Sequence, residues 1–352
     1  MKLNQMTAAV LLGASLIAAT LADAQVDRRT LSGRAVRVSN LVGNVTVASG
    51  GTGDVTVEVT RRGSDASRLS IEAGSVGGVQ TLRVVFPEGD IVFPELGRRS
   101  SSTFSVDDDG NWGGGSGFRS RRRIRVRGDG RGTEAWADVR VIVPAGKSVE
   151  LKVGVGTVRS NRMNGDLGID VASARVMVNG HDGTLRLETG SGGAEVRDVK
   201  GDELSVDVGS GSVSVIGATV RRMTLESGSG GVEADQINAP DLSIEVGSGG
   251  VRIERATSDR VRLETGSGGV RLELTNSPST LDLESGSGTV TLMLPASLDA
   301  ELDISTGSGS IDSDFAIQMN RFERRRIRGT VGKGTGRIRV ETGSGSVRIR
   351  KA

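Results

Sequence analysis

The 352-residue sequence contains no cysteine, no tyrosine and a single histidine, and only 2% of its residues are aromatic. Without cysteine, a lipoprotein anchor is excluded. With so few rings, the core must be built from valine, leucine, isoleucine and alanine in thin layers, which favours stacked sheets. Any Ser-His-Asp site would have to use His181, and no GxSxG motif surrounds a serine. We therefore predict a protein that is not an enzyme and has no cofactor.

Long hydrophobic runs are also absent, except for one at the N-terminus. Lys2 precedes an apolar segment over residues 8–21, and Ala22-Asp23-Ala24 has the A-x-A pattern of a cleavage site. This pattern predicts a signal peptide over residues 1–24, with a retained N-terminal anchor as the alternative. No later stretch approaches the roughly 20 apolar residues of a transmembrane helix. We expect the mature chain to be exported to the periplasm, the outer cell surface or the extracellular medium.

Glycine is abundant instead, with 53 residues, and much of it lies in a Gly-Ser-Gly motif that returns along the chain. LRLETGSGGAEV, LSVDVGSGSVSV, LSIEVGSGGVRI and VRLETGSGGVRL are copies of one unit. The copies recur about every 18–21 residues, except for a last step of 36, and such a period indicates a repeat architecture. We predict that the motif is a structural corner, whose first two residues in each copy are Gly190, Ser191, Gly209, Ser210, Gly228, Ser229, Gly247, Ser248, Gly266, Ser267, Gly286, Ser287, Gly307, Ser308, Gly343 and Ser344.

Apolar and polar residues alternate within each unit. Leu185 and Leu187 alternate with Arg186 and Glu188 before the motif, and the same alternation follows it. This period predicts half-buried strands, and glycine tolerates the backbone of a tight corner between them. The sequence therefore predicts an all-β fold, a parallel β-solenoid with about 18–21 residues per coil, right-handed by the general preference of parallel crossovers. One antiparallel hairpin per unit is the alternative.

An acidic residue stands two positions before most of these motifs. If the coils stack in register, these acids form a column on the outer face, in which like charges repel by roughly 1 kcal/mol per pair in water. Such a column would attract divalent cations or a basic partner; a solvated face balanced by nearby arginines is the alternative. The acids are Asp170, Glu188, Asp207, Glu226, Glu245, Glu264, Glu284 and Glu341.

The glycine clusters do not match known ligand loops. A Walker loop needs a glycine at the position of Val141, ahead of Gly146-Lys147-Ser148. Calcium-binding β-rolls need an aspartate after the glycines, and only GSGSIDSD near Asp312 comes close. The sequence therefore predicts no nucleotide and no metal ligand.

Arginine is concentrated between residues 90 and 133, although the formal net charge of the whole chain is only +2. The richness of this segment in glycine, serine and arginine predicts a flexible insertion. Arginine binds phosphate and carboxylate bidentately, so we predict contact here with an anionic glycan, a lipid headgroup or an envelope protein. Residues 107–109, all aspartate, are alternative partners for the arginines. The predicted contact residues are Arg98, Arg99, Arg119, Arg121, Arg122, Arg123, Arg125 and Arg127.

The predicted organisation follows these boundaries. The signal peptide is followed by an N-terminal β-strand region over residues 25–89, the insertion over 90–133, and the repeat solenoid over 134–352 with a basic excursion at 318–333. Oligomerisation through open solenoid ends is expected unless the N-terminal strands and the C-terminal RIRKA segment cap them.

The segment VRVIVPAGKSVELKVGVGTV and the repeated units resemble a bacterial family of exported β-strand-repeat proteins, a domain of unknown function whose members are labelled candidate adhesins. The resemblance runs from about Leu31 to the C-terminus, without the arginine-rich insertion. It implies a β-solenoid that is a structural or binding module of the cell envelope or surface, and it offers no catalytic residues. The alternatives are a β-helical polysaccharide-active enzyme and a periplasmic envelope-stress scaffold with no external ligand.

Overall fold

The protein consists almost entirely of β-strands. The computed structural model describes residues 26–107, 112, 121–323 and 325–352, which form a 23-stranded sheet and a separate 4-stranded sheet. In this part of the chain the helical segments are two 3₁₀ turns, Ala66–Arg68 and Pro94–Leu96. No helix among these residues is long and apolar enough to cross a membrane. The prediction of an all-β fold is confirmed.

The N-terminal part of the chain supplies the first coil of the solenoid and the strands around it. Its strands are β1 (Val26–Leu31), β2 (Ala35–Ser49), β3 (Val55–Arg62), β4 (Ser70–Val76), β5 (Val79–Val85), β6 (Gly89–Val92), β7 (Ser101–Asp107), β8 (Arg121–Arg127), β9 (Thr133–Glu134) and β10 (Trp136–Val143). β2 is the first coil, because it pairs in parallel with the coil that begins at Lys147, with Val38 beside Leu151. The solenoid therefore begins ahead of the insertion.

The repeats stack as parallel coils. Their strands are β11 (Lys147–Asp182), β12 (Leu185–Ser191), β13 (Ala194–Ser210), β14 (Val213–Ser227), β15 (Val232–Asn238), β16 (Asp241–Ser248), β17 (Val251–Thr257), β18 (Arg260–Ser267), β19 (Val270–Leu274), β20 (Thr280–Ser287) and β21 (Val290–Leu294). Leu185 pairs with Leu204, Leu204 with Met223, and Met223 with Leu242, a step of 19 residues each time. This register confirms the parallel solenoid and excludes the antiparallel hairpin for these units.

The core lies inside the coils. Strands before and after each corner point their apolar residues into one hydrophobic cluster, in which Leu204, Met223, Leu263 and Val290 are fully buried. Each such aliphatic side chain contributes about 1.5–3 kcal/mol of burial. A single coil buries too little to be stable, so each coil depends on its neighbours.

The end of the chain does not stack in sequence order. Its strands are β22 (Ala300–Ser308), β23 (Ile311–Ser313), β24 (Gln318–Glu323), β25 (Arg326–Val331), β26 (Gly336–Ser344) and β27 (Val347–Lys351). β26 pairs in parallel with both β20 and β22, and β27 with both β21 and β23. The repeat at Gly343 is therefore inserted ahead of the repeat at Gly307, although it follows Gly307 by almost two periods in sequence. The C-terminal RIRKA segment is an interior strand and not a cap.

Antiparallel strands cover the ends of the stack. At one end β25 pairs antiparallel with the outer edge of β22 and with β24. At the other end β5 and β10 pair in parallel with β2, and they pair antiparallel with β4 and β3 respectively. Because β25 occupies the outer edge of β22, the strand of the last coil, β26, pairs with the inner edge of β22. The basic excursion at 318–333 is thus part of a cap.

The arginine-rich insertion contains β-strands in its described residues. β8 lies between β7, which is antiparallel to it, and β6, which is parallel to it and also pairs with β9. Phe104, Val106, Ile124 and Val126 are buried on one side of this small sheet. The sequence suggested a flexible segment because the intervening arginines and serines conceal a period-two apolar pattern.

Candidate binding surfaces

The Gly-Ser-Gly corners bring the backbones of adjacent coils into close contact. A Cβ atom on Gly247 would lie 2.4 Å from the carbonyl oxygen of Gly228, and one on Gly266 would lie 2.5 Å from that of Gly247. In seven of the eight copies the second glycine of the motif also has a positive φ. Gly249, for example, has a φ of +148°, and its Cβ would lie 2.3 Å from the oxygen of Gly230. The corners named from the sequence are therefore places where stacking itself requires glycine.

In several coils the serine between these glycines lies beside the serine of the next coil. Ser191 is in register with Ser210, and Ser267 with Ser287. Ser191 Oγ also donates a hydrogen bond to Ser173 Oγ at 3.2 Å. The motif therefore forms a row of hydroxyls along the corner.

Buried side-chain hydroxyls form hydrogen bonds with the backbone at several corners. Ser227 Oγ donates to the carbonyl of Gly211 at 3.2 Å and accepts from the N–H of Gly230 at 3.0 Å. Thr306 Oγ1 donates to the carbonyl of Gly345 at 2.8 Å. These bonds satisfy backbone groups that the turn removes from the strand ladder.

The acids predicted to align do form a column, which we call the carboxylate column. Strand register sets each acid beside that of the next coil, about 4.8 Å away across the strands. The paired residues are Asp170–Glu188, Glu188–Asp207, Asp207–Glu226, Glu226–Glu245, Glu245–Glu264, Glu264–Glu284 and Glu284–Glu341. Ser305 lies beside Glu341 and ends the column.

Only part of the carboxylate column is neutralised. Its ion pairs are Lys152–Asp170, Arg262–Glu264 and Arg339–Glu341. Within the described residues, the other acids of the column have no ion pair. Burial, together with the carboxylates of Asp207 and Glu245 on either side, raises the pKa of Glu226 above its usual 4.5. The centre of the column is therefore an uncompensated anionic surface.

A groove runs beside the carboxylate column because the glycine corners carry no side chains. Its volume is about 490 Å³, and Glu245, Glu264, Glu284 and Glu341 line it. Across residues 26–107, 112, 121–323 and 325–352, no group of histidine, aspartate and glutamate side chains could hold a metal ion. The column is an extended charged surface beside this groove.

The predicted arginine contacts are divided between one strand and one loop. Arg123, Arg125 and Arg127 alternate along β8 with the buried Ile124 and Val126, so the three arginines share the outer side of the small sheet. We call this outer side the arginine face.

The remaining predicted arginines lie around the arginine face. Arg121 begins β8, and Arg122 is half-buried with its side chain on the inner side. Arg98 and Arg99 are exposed in the loop after the second 3₁₀ turn. Arg119 lies outside the described residues, as do two of the three aspartates at 107–109, while Asp107 pairs with Arg121 in the strand register.

A row of hydroxyls beside these arginines was missed by sequence reasoning. Ser101, Thr103 and Ser105 lie on β7 directly opposite Arg127, Arg125 and Arg123, in that order. All three hydroxyl residues are exposed. The signal that could have located them is the alternation in STFSV, which matches the alternation in RRRIRVR on the paired strand.

The sequence of this chain matches one known protein family over most of the solenoid. The Toastrack DUF4097 profile matches residues 135–350, more than half of the sequence. The chain belongs to the Toastrack DUF4097 family. This membership confirms the predicted resemblance to a family of unknown function. The Toastrack match runs from β10 into β27 and leaves out β1 to β9, which include the first coil and the small sheet.

Two solved structures are similar to this Toastrack chain at low sequence identity. A candidate cell adhesion protein from Clostridium sporogenes is 11% identical, with a TM-score of 0.22, and the match covers 93% of this chain and 99% of that one. A candidate adhesin from Bacteroides fragilis is 10% identical, with a TM-score of 0.33, and the match covers 92% of this chain and 97% of that one. No curated protein matches the sequence.

The single histidine of this Toastrack chain belongs to the core. His181 is 3% exposed, and its Nε2–H donates to the carbonyl of Thr184 at 3.1 Å. Burial lowers the pKa of the imidazole, which keeps the ring neutral. Val199 and Ala218 fill the same position in the next two coils. His181 is therefore a core residue in the coil stack.

Proposed function

We propose that this Toastrack protein is exported to the cell envelope and acts there as a non-enzymatic, polyvalent binding module. The observation that carries the proposal is the register of the coils. It repeats one kind of side chain about every 4.8 Å along an extended surface, as the carboxylate column demonstrates. A partner with its own repeat would meet many equivalent weak contacts, and linked contacts raise the overall affinity.

The placement of the chemistry-bearing residues supports binding over catalysis. The imidazole of His181 is inside the core, away from any surface where a substrate would lie. Four of the aromatic rings in the described part of the chain pack in pairs, with Phe93 and Trp136 centroids 5.8 Å apart and Phe104 and Trp112 centroids 6.3 Å apart. Recognition by the described outer surface would therefore depend on charge and hydroxyl groups.

Export is the part of the proposal that cell fractionation tests. Residues 1–24, which carry the predicted signal peptide, lie outside the described residues. We expect an envelope-associated chain that begins at Gln25, identified by N-terminal sequencing of the fractionated protein. Trypsin treatment of intact and of permeabilised cells then distinguishes the outer surface from the periplasm. A full-length chain retained in the cytoplasm would contradict the proposal.

The absence of catalysis is tested separately. Purified protein is incubated with a panel of polysaccharides, and new reducing ends are measured. We expect no release above that of heat-denatured protein. Cleavage that disappears when two exposed acids are replaced by alanine would establish the polysaccharide-active enzyme instead.

A further inference from the structure

The arginine face has guanidinium groups on one strand and hydroxyl groups beside them on the paired strand. Along β8 its arginines follow one another about every 7 Å, since successive residues of a strand rise about 3.3 Å. The hydroxyls of Ser101, Thr103 and Ser105 stand opposite them on β7. Arg123 and Arg125 are exposed, as are the three hydroxyl residues. Cationic and neutral donors therefore lie side by side over several residues of both strands.

Most of the charge of this face is not neutralised by the described part of the chain. Arg127 Nη1 lies 2.9 Å from Asp90 Oδ2, so one end of the row is paired. Arg125 Nη2 donates only a long bond, 3.4 Å, to the hydroxyl of Ser101. Arg123 has no ion pair among the described residues. Two of the guanidinium groups are thus available to an external anion.

The loop that carries Arg98 and Arg99 extends the positive surface. The N–H of Gly128, just after β8, donates to the carbonyl of Ser100 at 3.1 Å. A Cβ atom on Gly128 would lie 1.7 Å from the carbonyl oxygen of Gly97, so the loop lies directly against the end of β8. The two exposed arginines therefore lie near the Arg127 end of the row.

Buried side chains lie beneath the arginine face. Phe104 packs edge-on against Trp112, and Lys152 Nζ on β11 lies 5.5 Å from the centre of the Trp112 ring. Ile124 and Val126 are 1% and 0% exposed. Since Lys152 contacts the small sheet from the solenoid and the inner side of the sheet is buried, we expect its outer side to lose little conformational entropy on binding a ligand.

We propose that the arginine face binds an anionic polysaccharide. Guanidinium groups bond carboxylate or sulfate oxygens bidentately, and the serine and threonine hydroxyls supply the neutral hydrogen bonds that sugar hydroxyls require. A membrane surface fits less well, because lipid insertion needs exposed apolar side chains. The exposed large hydrophobic residues of the described chain, Val26 and Met319, both lie outside the small sheet.

This inference rests on the proposed binding function and names its partner class. The test uses the purified mature chain and measures retention on immobilised polygalacturonate and on dextran sulfate, with neutral dextran as the reference polymer. We expect binding to at least one anionic polymer and none to dextran. The double variant Arg123→Ser, Arg125→Ser should bind about tenfold more weakly, because it removes two charge-assisted contacts. Replacing both residues by lysine should restore binding only in part, since lysine is a point charge.

A charge-matched control variant separates a defined surface from general charge. Arg337 and Arg348 are exposed on the solenoid and have no ion pair among the described residues. Arg337→Ser with Arg348→Ser makes the same change in net charge and should leave affinity within about twofold, as expected for screened distant charges. Thermal unfolding of both double variants should match that of the parent, because all four side chains are exposed.

Three results would overturn the inference. They are no binding to either anionic polymer, equal losses in the two double variants, and tighter binding to anionic phosphatidylglycerol vesicles than to both polymers. Because these measurements use purified protein, they do not depend on where the protein resides in the cell. Failure here with correct export would reject the polysaccharide while leaving the envelope location intact.

Discussion

At the scale of single residues, the two glycines of each motif meet different demands. The first glycine, such as Gly247, lies where the carbonyl of the preceding coil leaves no room for a side chain. The second, such as Gly249, must also adopt a positive φ. The glycine that follows, Gly250, has neither constraint, since a Cβ there would lie 3.7 Å from the nearest heavy atom, the oxygen of Gly269.

This difference predicts unequal effects of alanine at two positions in one corner. Gly247→Ala should lower the free energy of unfolding by about 1–3 kcal/mol, because the added methyl group forces the coils apart. Gly250→Ala should be neutral or stabilising by up to about 1 kcal/mol, since alanine loses less backbone entropy than glycine. Urea unfolding followed by circular dichroism measures both. Equal effects would show that the carbonyl contact does not determine the motif.

The carboxylate column sets like charges beside one another, and Glu226 carries the clearest consequence. Its pKa is raised in the folded chain, so the folded state binds a proton at this site more tightly than the unfolded state does. The group therefore destabilises the fold above its folded pKa, and this penalty disappears as the pH falls below the usual value of 4.5.

Replacing this charge should stabilise the protein at neutral pH. We expect Glu226→Gln to raise the free energy of unfolding at pH 7 by about 0.5 kcal/mol, an effect that added salt reduces and that vanishes near about pH 3.5. The matched control is Glu233→Gln on the other strand of the coil, where Ser214 and Arg252 are the register neighbours. Denaturant titrations at both pH values measure the difference. Destabilisation by Glu226→Gln would mean that the Glu226 carboxylate makes a net attractive contact in the folded protein.

At the scale of elements, the last coil is interior although it ends the sequence. β26 and β27 each have a parallel strand on both sides, while the hairpin β24–β25, earlier in the chain, forms the outer edge. Closing the stack therefore requires the C-terminal residues to insert between two coils that already precede them in sequence. Such long-range pairing is expected to form late in folding.

Chain termini usually tolerate substitution, but here we expect a substitution in the terminal strand β27 to destabilise the protein more than one in the earlier strand β24. Ile349 is fully buried in β27, whereas Met319 in β24 is 54% exposed. Ile349→Ala should cost about 2–5 kcal/mol, and Met319→Ala less than about 0.5 kcal/mol. Thermal and urea unfolding of the two variants measure the difference. A mild effect at Ile349 would place the last strand outside the stack.

At the scale of the whole molecule, the solenoid is a one-dimensional array. Each coil touches the coils on either side, so a local defect should weaken its neighbours and leave distant coils protected. Leu263, fully buried between Ile244 and Leu283 in register, lies well within the stack and far from the first coil β2.

Leu263→Ala should therefore change hydrogen exchange in a graded way. We expect amide protection to fall most in β16, β18 and β20 and to stay near the parent level in β2, with a global loss of about 2–5 kcal/mol at most. Exchange measured by mass spectrometry on parent and variant reveals the gradient. A uniform loss along the chain would show that the solenoid unfolds as one cooperative unit.

Particular elements show how far sequence could predict this fold. The alternation in LRLETGSG was enough for strands, corners and the carboxylate column, because one period placed every acid in the same row. The sequence did not predict the small sheet, because its apolar residues lie among arginine and serine. These apolar residues are Phe104, Val106, Ile124 and Val126. The row of Ser101, Thr103 and Ser105 was invisible for the same reason, because its importance comes from a pairing partner on another strand.

The sequence alone determined the stacking period, the need for glycine at the corners, and the all-β class, since these follow from local alternation and backbone sterics. Only the tertiary structure decided that β2 joins the stack ahead of the insertion, that β26 and β27 are inserted between earlier coils, and that arginines meet hydroxyls on the small sheet. The reason is physical: similar coils offer nearly equivalent edges, so local pattern cannot select among them. The choice depends on which edges the capping strands already occupy.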